Sequence, residues 1–400
     1  MAGVGFATVP HIVSRHIAAG EITGAITLIA RNGELVLSDV QGTADFDPPY
    51  RLQADTIFGV MSMTKPVVGT LGAALVVEGA LRLDAPVSEY IPEFGQPRMV
   101  RILRPGSQHR PMHFPPNPEL DAQYPEPQFD YEPMRRPMTV RDIMTFTSGL
   151  QTIGIANPGL PVAEPDDSVA SYIAKLGTVP LEFQPGTQWH YSNATTYDVL
   201  ARLIEVASDT DFATFVQQRL FDPLGMRDSA FGVQSWMGDR VLPLGPFAHD
   251  RIARPDYPSG SAGLFTTAGD YLRFAQMLLN GGTYAGARIL PEVAVSMVHS
   301  NQIGDLPFPG VRATEYSARA PVYMPGVRYG FGVATIEDRS TSGTDLPNGS
   351  YGWDGIGTRR FWVMPEQGTI LIMLMTGIGA AADTTHREIE HIVAANVTTG

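Results

Sequence analysis

Ser62-Met63-Thr64-Lys65 places a hydroxyl and an amine three residues apart at the head of a run of small and apolar residues that extends to Gly79. On a helix, side chains at i and i+3 share a face, so the amine lies beside the hydroxyl. No charged residue occurs between Lys65 and Glu78, and an ammonium buried at a helix start loses proton affinity through desolvation and the positive end of the helix dipole. A neutral amine there can take the serine proton and make a nucleophile of the oxygen. A capping serine followed by a surface lysine is the bland alternative, and the charge-free run argues against it. Lysine usage sharpens the point: of 28 Lys plus Arg, only Lys65 and Lys175 are lysines, and arginine is too basic to accept a proton.

Two further stretches carry polar groups where a cleft could use them. Pro185-Gly186-Thr187-Gln188-Trp189-His190-Tyr191-Ser192-Asn193 is a turn running into a helical pattern, with the Tyr191 phenol and the Asn193 amide two residues apart at the junction. Such a loop can face a cleft while the helix behind it stays packed; an Asn cap with Tyr191 as packing is the plainer reading. Tyr351-Gly352-Trp353-Asp354-Gly355-Ile356-Gly357 reads as a strand with three glycines at its edge. Glycine in a strand lets another backbone or a ligand approach closely, and the exposed N–H groups are the ingredients of an oxyanion hole. A bulge or hairpin would account for the same glycines.

The elements that must position these residues follow from periodicity. A helical pattern spans about Pro10 to Gly20, and the runs Ile22–Arg31 and Glu34–Gly42 are joined by Asn32-Gly33, a strong hairpin signal. Lys65 to Gly79 is apolar nearly all round and predicts a buried helix. Residues 97–137 hold ten prolines, a composition that predicts a long irregular surface insertion without helices or central strands. Helices are predicted from Thr139 to near Ser148-Gly149, over Ala194–Ser208 and Phe212–Leu220, and from Thr267 to Asn280, ended by Gly281-Gly282. Strands return at Tyr329–Asp338, Ser350–Gly355, Phe361–Met364 and Thr369–Thr376, before a last helix from about Ala382 to Val397. Strand-rich ends around a helical middle suggest two units: residues 1–64 with 300–400 as a mixed α/β domain, and 65–299 as a mainly helical one.

Composition removes several alternatives. Without cysteine there are no thiol nucleophiles, disulfides or thiolate metal sites. Gly-x-Ser-x-Gly, Gly-Lys-Ser/Thr and His-Glu-x-x-His patterns are absent. His386 and His391, five residues apart, point about 140° from each other around a helix and cannot share a metal, so a solvated face is expected. Gly377 to Ala382 mimics a dinucleotide fingerprint, but no second strand follows it, and a tight strand-to-helix turn is expected. A net charge of −13 opposes binding to nucleic acid or anionic membranes. The longest apolar stretch, around Ile370–Met375, is too short to span a bilayer, and no Lys or Arg precedes Arg15 to start a secretory signal. A cytoplasmic enzyme without metal or cofactor, acting on a small molecule, is the expectation; nothing here bears on its oligomeric state.

In order and spacing, Ser62-x-x-Lys65, Tyr191-x-Asn193 and Trp353-Asp354-Gly355 resemble the three motifs of the serine β-lactamase and penicillin-binding-protein superfamily, and most of all its class C-like carboxylesterases, the family VIII esterases. The likeness extends through Ile57–Lys65, Leu81–Val87, Thr145–Leu150, Pro223-Leu224-Gly225-Met226 and Tyr257–Leu264. It implies an α+β fold, an α/β sandwich with an antiparallel sheet plus an inserted helical domain, with the site in the cleft between them. It also implies roles: Ser62 as nucleophile, Lys65 as its base, Tyr191 as proton relay to the leaving alcohol, the N–H groups of Ser62 and Ile356 as oxyanion hole, and Asn193, Trp353, Asp354 and Gly355 as substrate-binding residues. The expected activity is hydrolysis of carboxylic esters with short to medium acyl chains. A β-lactamase, DD-peptidase, amide-oligomer hydrolase or acyltransferase on the same machinery, or a sensor that acylates without turnover, remain alternatives.

Two departures bear on substrate. Relatives carry Lys-Thr-Gly where this chain has Trp353-Asp354-Gly355, and an indole beside a carboxylate would repel the anionic group that such a lysine anchors; Arg359 and Arg360 could restore a cation. Phe146 stands where many relatives have His, without an evident functional meaning. The insertion's Phe114, Tyr124, Phe129 and Tyr131 are candidate walls of the acyl pocket.

Overall fold

The computed structural model describes residues 5–45, 48–107, 119, 123–151, 160–161, 163–192, 194–244, 250–309, 324–377 and 380–398. Asn32 and Gly33 both take positive φ, +52° and +84°, the backbone a tight hairpin turn requires. They join β1 (Gly24–Arg31) to β2 (Glu34–Ala44) in antiparallel register. Six more strands complete one sheet: β3 (Tyr50–Arg51), β4 (Val327–Tyr329), β5 (Ala334–Ile336), β6 (Tyr351–Gly355), β7 (Arg359–Met364) and β8 (Thr369–Thr376), in the order β4-β5-β6-β7-β8-β1-β2-β3. All the pairings are antiparallel. The run Tyr329–Asp338, expected as one strand, is divided between β4 and β5 because Gly332, at φ +95°, turns the chain back.

Alternation along each strand builds two cores. Ile26, Leu28, Phe361, Val363, Ile370 and Ile372 face the larger cluster, which holds the helices of the chain's middle. Their neighbours Ala25, Ile29, Met364, Leu371 and Met373 face a second cluster made with helix α1 (Val9–Ala18) and the C-terminal helix (Ala380–Thr398). The sheet is therefore sandwiched, as period-two patterning of a doubly covered sheet demands.

Helix α2 (Thr64–Val77) is the buried apolar helix, with Thr64 through Leu75 all inaccessible. It packs so closely on the β4–β5 turn that a Cβ at Gly69 would lie 2.2 Å from the Phe331 carbonyl oxygen. Helix α3 (Val140–Met144) starts on a reciprocal cap between Thr139 and Asp142 and ends short of the expected Ser148-Gly149. Helices α4 (Val169–Leu176) and α5 (Thr196–Ser208) follow. The Thr267 hydroxyl caps α6 (Ala268–Leu279), and Gly281 and Gly282 end it with positive φ.

The proline-rich stretch departs from expectation. Met99–Leu103 and Phe129–Pro133 pair as a separate two-stranded ribbon, with proline at the terminal position where a missing N–H costs least. Its strands stand apart from the main sheet.

Candidate active site

Ser62 lies in a single 3₁₀ turn, Met61–Met63, that feeds α2. Met61 is held at φ +50°, a left-handed conformation unusual for a long side chain, and the surroundings hold it there. Val60 N–H donates to the Leu264 carbonyl at 3.0 Å, Leu264 N–H donates to Thr64 Oγ1 at 3.1 Å, and the Tyr271 hydroxyl donates to the Met63 carbonyl at 2.9 Å. From the other side, Gly355 at the end of β6 comes so close that a Cβ would sit 2.2 Å from the Val60 oxygen. Glycine is required there by contact, and it carries the Ile356 turn toward Ser62.

The three chemically suggestive side chains meet at the serine oxygen. Lys65 Nζ lies 3.0 Å from Ser62 Oγ, as helical spacing predicts, and Tyr191 OH lies 2.7 Å from the same atom. Lys65 is completely buried and sits 5.0 Å from the centre of the Tyr191 ring. Burial lowers its pKa to about 7, while the charges of Asp198 and Asp354 pull in the opposite direction. An amine that is half neutral near pH 7 can act as a general base.

A residue that sequence reasoning missed organises the far side of Lys65. The ammonium donates to the Ser261 carbonyl at 2.8 Å. That carbonyl is presented by a turn gathered on the buried Asp198 carboxylate, which accepts from Tyr257 OH at 3.0 Å, Ser259 Oγ at 2.7 Å and Ser261 N–H at 2.9 Å. Asp198 sits in the first turn of α5, five residues beyond Asn193. Its polar character on an otherwise apolar face was the available signal. Asn193 itself lies outside the described residues.

Tyr191 is held by an aromatic cage. Its ring packs against Phe146 at 4.9 Å and Trp353 at 5.5 Å between centroids, and lies parallel to Trp189 at 6.3 Å. Phe146 has positive φ, +60°, and its carbonyl accepts from His190 N–H at 3.0 Å. The residue without an evident role in the sequence therefore aims Tyr191 through both ring and backbone.

Trp353 and Asp354 leave β6 on opposite faces. Trp353 joins the aromatic cage, also touching Tyr329 at 5.2 Å. Asp354 faces the C-terminal helix, 3.6 Å from Arg360; burial pushes its carboxyl up, and Arg360 pulls it partly back. Neither arginine supplies the cationic anchor considered from sequence. Arg360 is engaged by Asp383 and Glu390 at 3.0 Å each, and the almost buried Arg359 lies over Phe58 and donates to the Gly357 carbonyl.

Other expectations are corrected. His386 is buried, 2% exposed, because its face of the C-terminal helix turns toward the sheet; only His391 is on a solvated face, with Asp345 at 2.8 Å. Of the insertion's aromatics, Phe129 packs against Arg101 and Tyr131 is 55% exposed. Neither lines the cavity along Trp353 and Asp354, whose aromatic walls are Phe308, Trp353 and Trp362; that cavity does not test them as walls of an acyl pocket. Phe114 lies outside the described residues. Lys175 pairs with Asp167 at 2.6 Å, away from Ser62. Among the described residues no cluster of His, Asp or Glu could hold a metal, and no helix is long and apolar enough to cross a membrane.

Residues 9–395 match the family described as Beta-lactamase. The chain belongs to that family. Esterase EstB of Burkholderia gladioli is 28% identical over 390 residues, covering 88% of this chain and 86% of the relative. Among solved structures, EstCE1, described as a hydrolase with promiscuous acyltransferase activity, superposes with a TM-score of 0.72 at 20% identity, covering 98% of this chain and 99% of that one. A family VIII carboxylesterase does so with a TM-score of 0.71 at 17% identity, covering 98% of each chain. Both the fold and the antiparallel sheet with helical layers are thus those of the beta-lactamase family.

Proposed function

We propose that this protein is a serine hydrolase that cleaves carboxylic esters through an acyl-enzyme on Ser62. The single observation that carries the reading is the convergence of a buried Lys65 amine and the Tyr191 phenol on Ser62 Oγ, at 3.0 and 2.7 Å. In the first step Ser62 Oγ attacks the ester carbonyl and its proton passes to neutral Lys65. Tyr191 then relays that proton from Lys65 to the departing alcohol oxygen, giving up its own and taking the one on Lys65, while the N–H groups of Ser62 and Ile356 hold the oxyanion. In the second step the Tyr191–Lys65 pair takes a proton from water, which attacks the acyl carbonyl, and returns that proton to Ser62 Oγ as the acyl–oxygen bond breaks and the acid leaves. Asn193 is assigned to orienting Lys65 or the acyl group.

Preference for esters over β-lactams and peptides is supported by the edge strand. Those substrates present a carboxylate that needs a cation, and the strand offers Trp353 and Asp354, with both nearby arginines already engaged. The name of the EstB relative points the same way. Acyl transfer to an alcohol in place of water is the second reading, favoured by the apolar rings that surround Tyr191. The test is p-nitrophenyl butyrate hydrolysis compared with a chromogenic cephalosporin, in the wild type and Ser62→Ala. The expected result is ester turnover that Ser62→Ala abolishes; turnover surviving that change, or a strong preference for the cephalosporin, would overturn the proposal.

A further inference from the structure

β5 pairs with β6 only at Tyr351 and Gly352, so Trp353, Asp354 and Gly355 have β7 as their strand partner on one side and, among the described residues, no strand partner on the other. A cavity of about 120 Å³ lies along that edge. Its apolar walls include Phe308, Trp353 and Trp362, and its charged groups are Asp354, Asp383, Glu390, Arg360 and Arg387. Three carboxylates thus face two guanidinium groups, and the pairing is uneven. Arg387 donates twice to Asp383, at 2.9 and 2.6 Å, and Arg360 donates to Asp383 and Glu390. Asp354 stays beyond hydrogen-bond distance of Arg360, at 3.6 Å. It is also the most open of the three acids, with 29% of its side chain exposed against 14% for Asp383 and 7% for Glu390. The indole N–H of Trp353 has no hydrogen-bond partner among the described residues, although the residue is only 5% exposed.

The cavity is next to the reaction centre. Trp353 touches the Tyr191 ring, whose hydroxyl reaches Ser62, and Gly355 touches the turn that carries Ser62. Its lining comes from both faces of the sheet, Phe308 and Trp353 on the side of Tyr191 and Asp354, Asp383 and Glu390 on the side of the C-terminal helix, so a group leaving past Tyr191 meets Trp353 and reaches Asp354 around the strand edge. Aromatic faces beside a carboxylate that its arginine neutralises only in part attract cations, above all ammonium groups with apolar substituents, and the same carboxylate repels anions.

We propose that this cavity is the subsite for the alcohol part of the ester, and that Asp354 makes it select alcohols bearing a protonated or quaternary amine. The assignment rests on the ester-hydrolase reading above. Trp353 N–H is free to donate to an oxygen of the bound ester, and Asp354 faces the amine.

Three butyrate esters test it: butyrylcholine, its uncharged isostere 3,3-dimethylbutyl butyrate, and the anionic 4-butyryloxybutanoate. The wild type should show kcat/KM at least tenfold higher for butyrylcholine than for the isostere, and lowest for the anion. Asp354→Asn should bring the first two within about threefold of each other, whatever its absolute rate. Should that variant fail to fold, wild-type inhibition decides: choline should inhibit p-nitrophenyl butyrate hydrolysis at lower concentration than 3,3-dimethylbutanol. Equal rates for the cationic and neutral esters, or equal inhibition, overturn the subsite assignment and leave the esterase reading standing. Failure to hydrolyse any ester overturns both.

Discussion

Lys65 holds its proton weakly because burial takes its ammonium out of water, and the charges of Asp198 and Asp354 offset that loss only in part. Its pKa of about 7 is below the ordinary lysine value, so the neutral base is the minor form in acid and the major form above neutrality. The acylation rate should therefore rise with pH through about 7 and level off above it, measured as kcat/KM for a neutral ester. Lys65→Arg keeps the charge but removes the titration, because guanidinium stays protonated throughout. The expected result is a loss of at least a thousandfold in kcat/KM and of the rise near pH 7; a variant that kept either would sink the assignment of Lys65 as base. Much of this was legible in sequence, since the scarcity of lysine and the charge-free run after Lys65 both single the residue out. The carbonyl that receives its amine was not, because Ser261 lies 196 positions away and any residue type supplies a carbonyl. Phe146 was equally opaque: its work is done by a ring face and a backbone oxygen, neither of which a spacing rule reports.

At the level of elements, the site depends on two backbones meeting without side chains between them. The 3₁₀ turn at Met61–Met63 and the end of β6 approach until only hydrogen fits at Gly355. Gly355→Ala would push the Ile356 turn away from Ser62 or twist the turn at Met61, and a displacement near 1 Å at reacting groups can cost about a hundredfold in rate. The variant should keep its far-UV circular dichroism while kcat/KM falls by about that factor; full activity would show that the close approach is dispensable. Strand glycines were visible in the sequence, and so was their tolerance of a close neighbour. Which neighbour was not, since register between residues some 290 positions apart leaves no local trace. The ribbon Met99–Leu103 and Phe129–Pro133 failed to register for a related reason. Ten prolines over 97–137 masked two short runs that pair only with each other.

The whole molecule is closed by its two ends. β8 lies between β7 and β1, pairing with all eight residues of Gly24–Arg31, and α1 packs with the C-terminal helix on the face of the sheet remote from Ser62. Strand-rich ends made that meeting legible, whereas the division of labour between the two faces became clear only from the alternation within β7 and β8. The larger core carries Tyr191 and Trp353 and shapes the cleft; the smaller one holds the ends together. Stability and catalysis should accordingly separate. Ile389 is fully buried in the smaller cluster, and truncating it leaves a cavity there worth about 2–5 kcal/mol. Ile389→Ala should lower Tm by several degrees in calorimetry. Because β7 and β8 stay pinned by their ladders, kcat/KM for a neutral ester at 25 °C should remain within about twofold of the wild type. A drop in kcat/KM in step with Tm would mean that the end-to-end packing also sets the geometry at Ser62, with the sheet acting as a lever between its two faces.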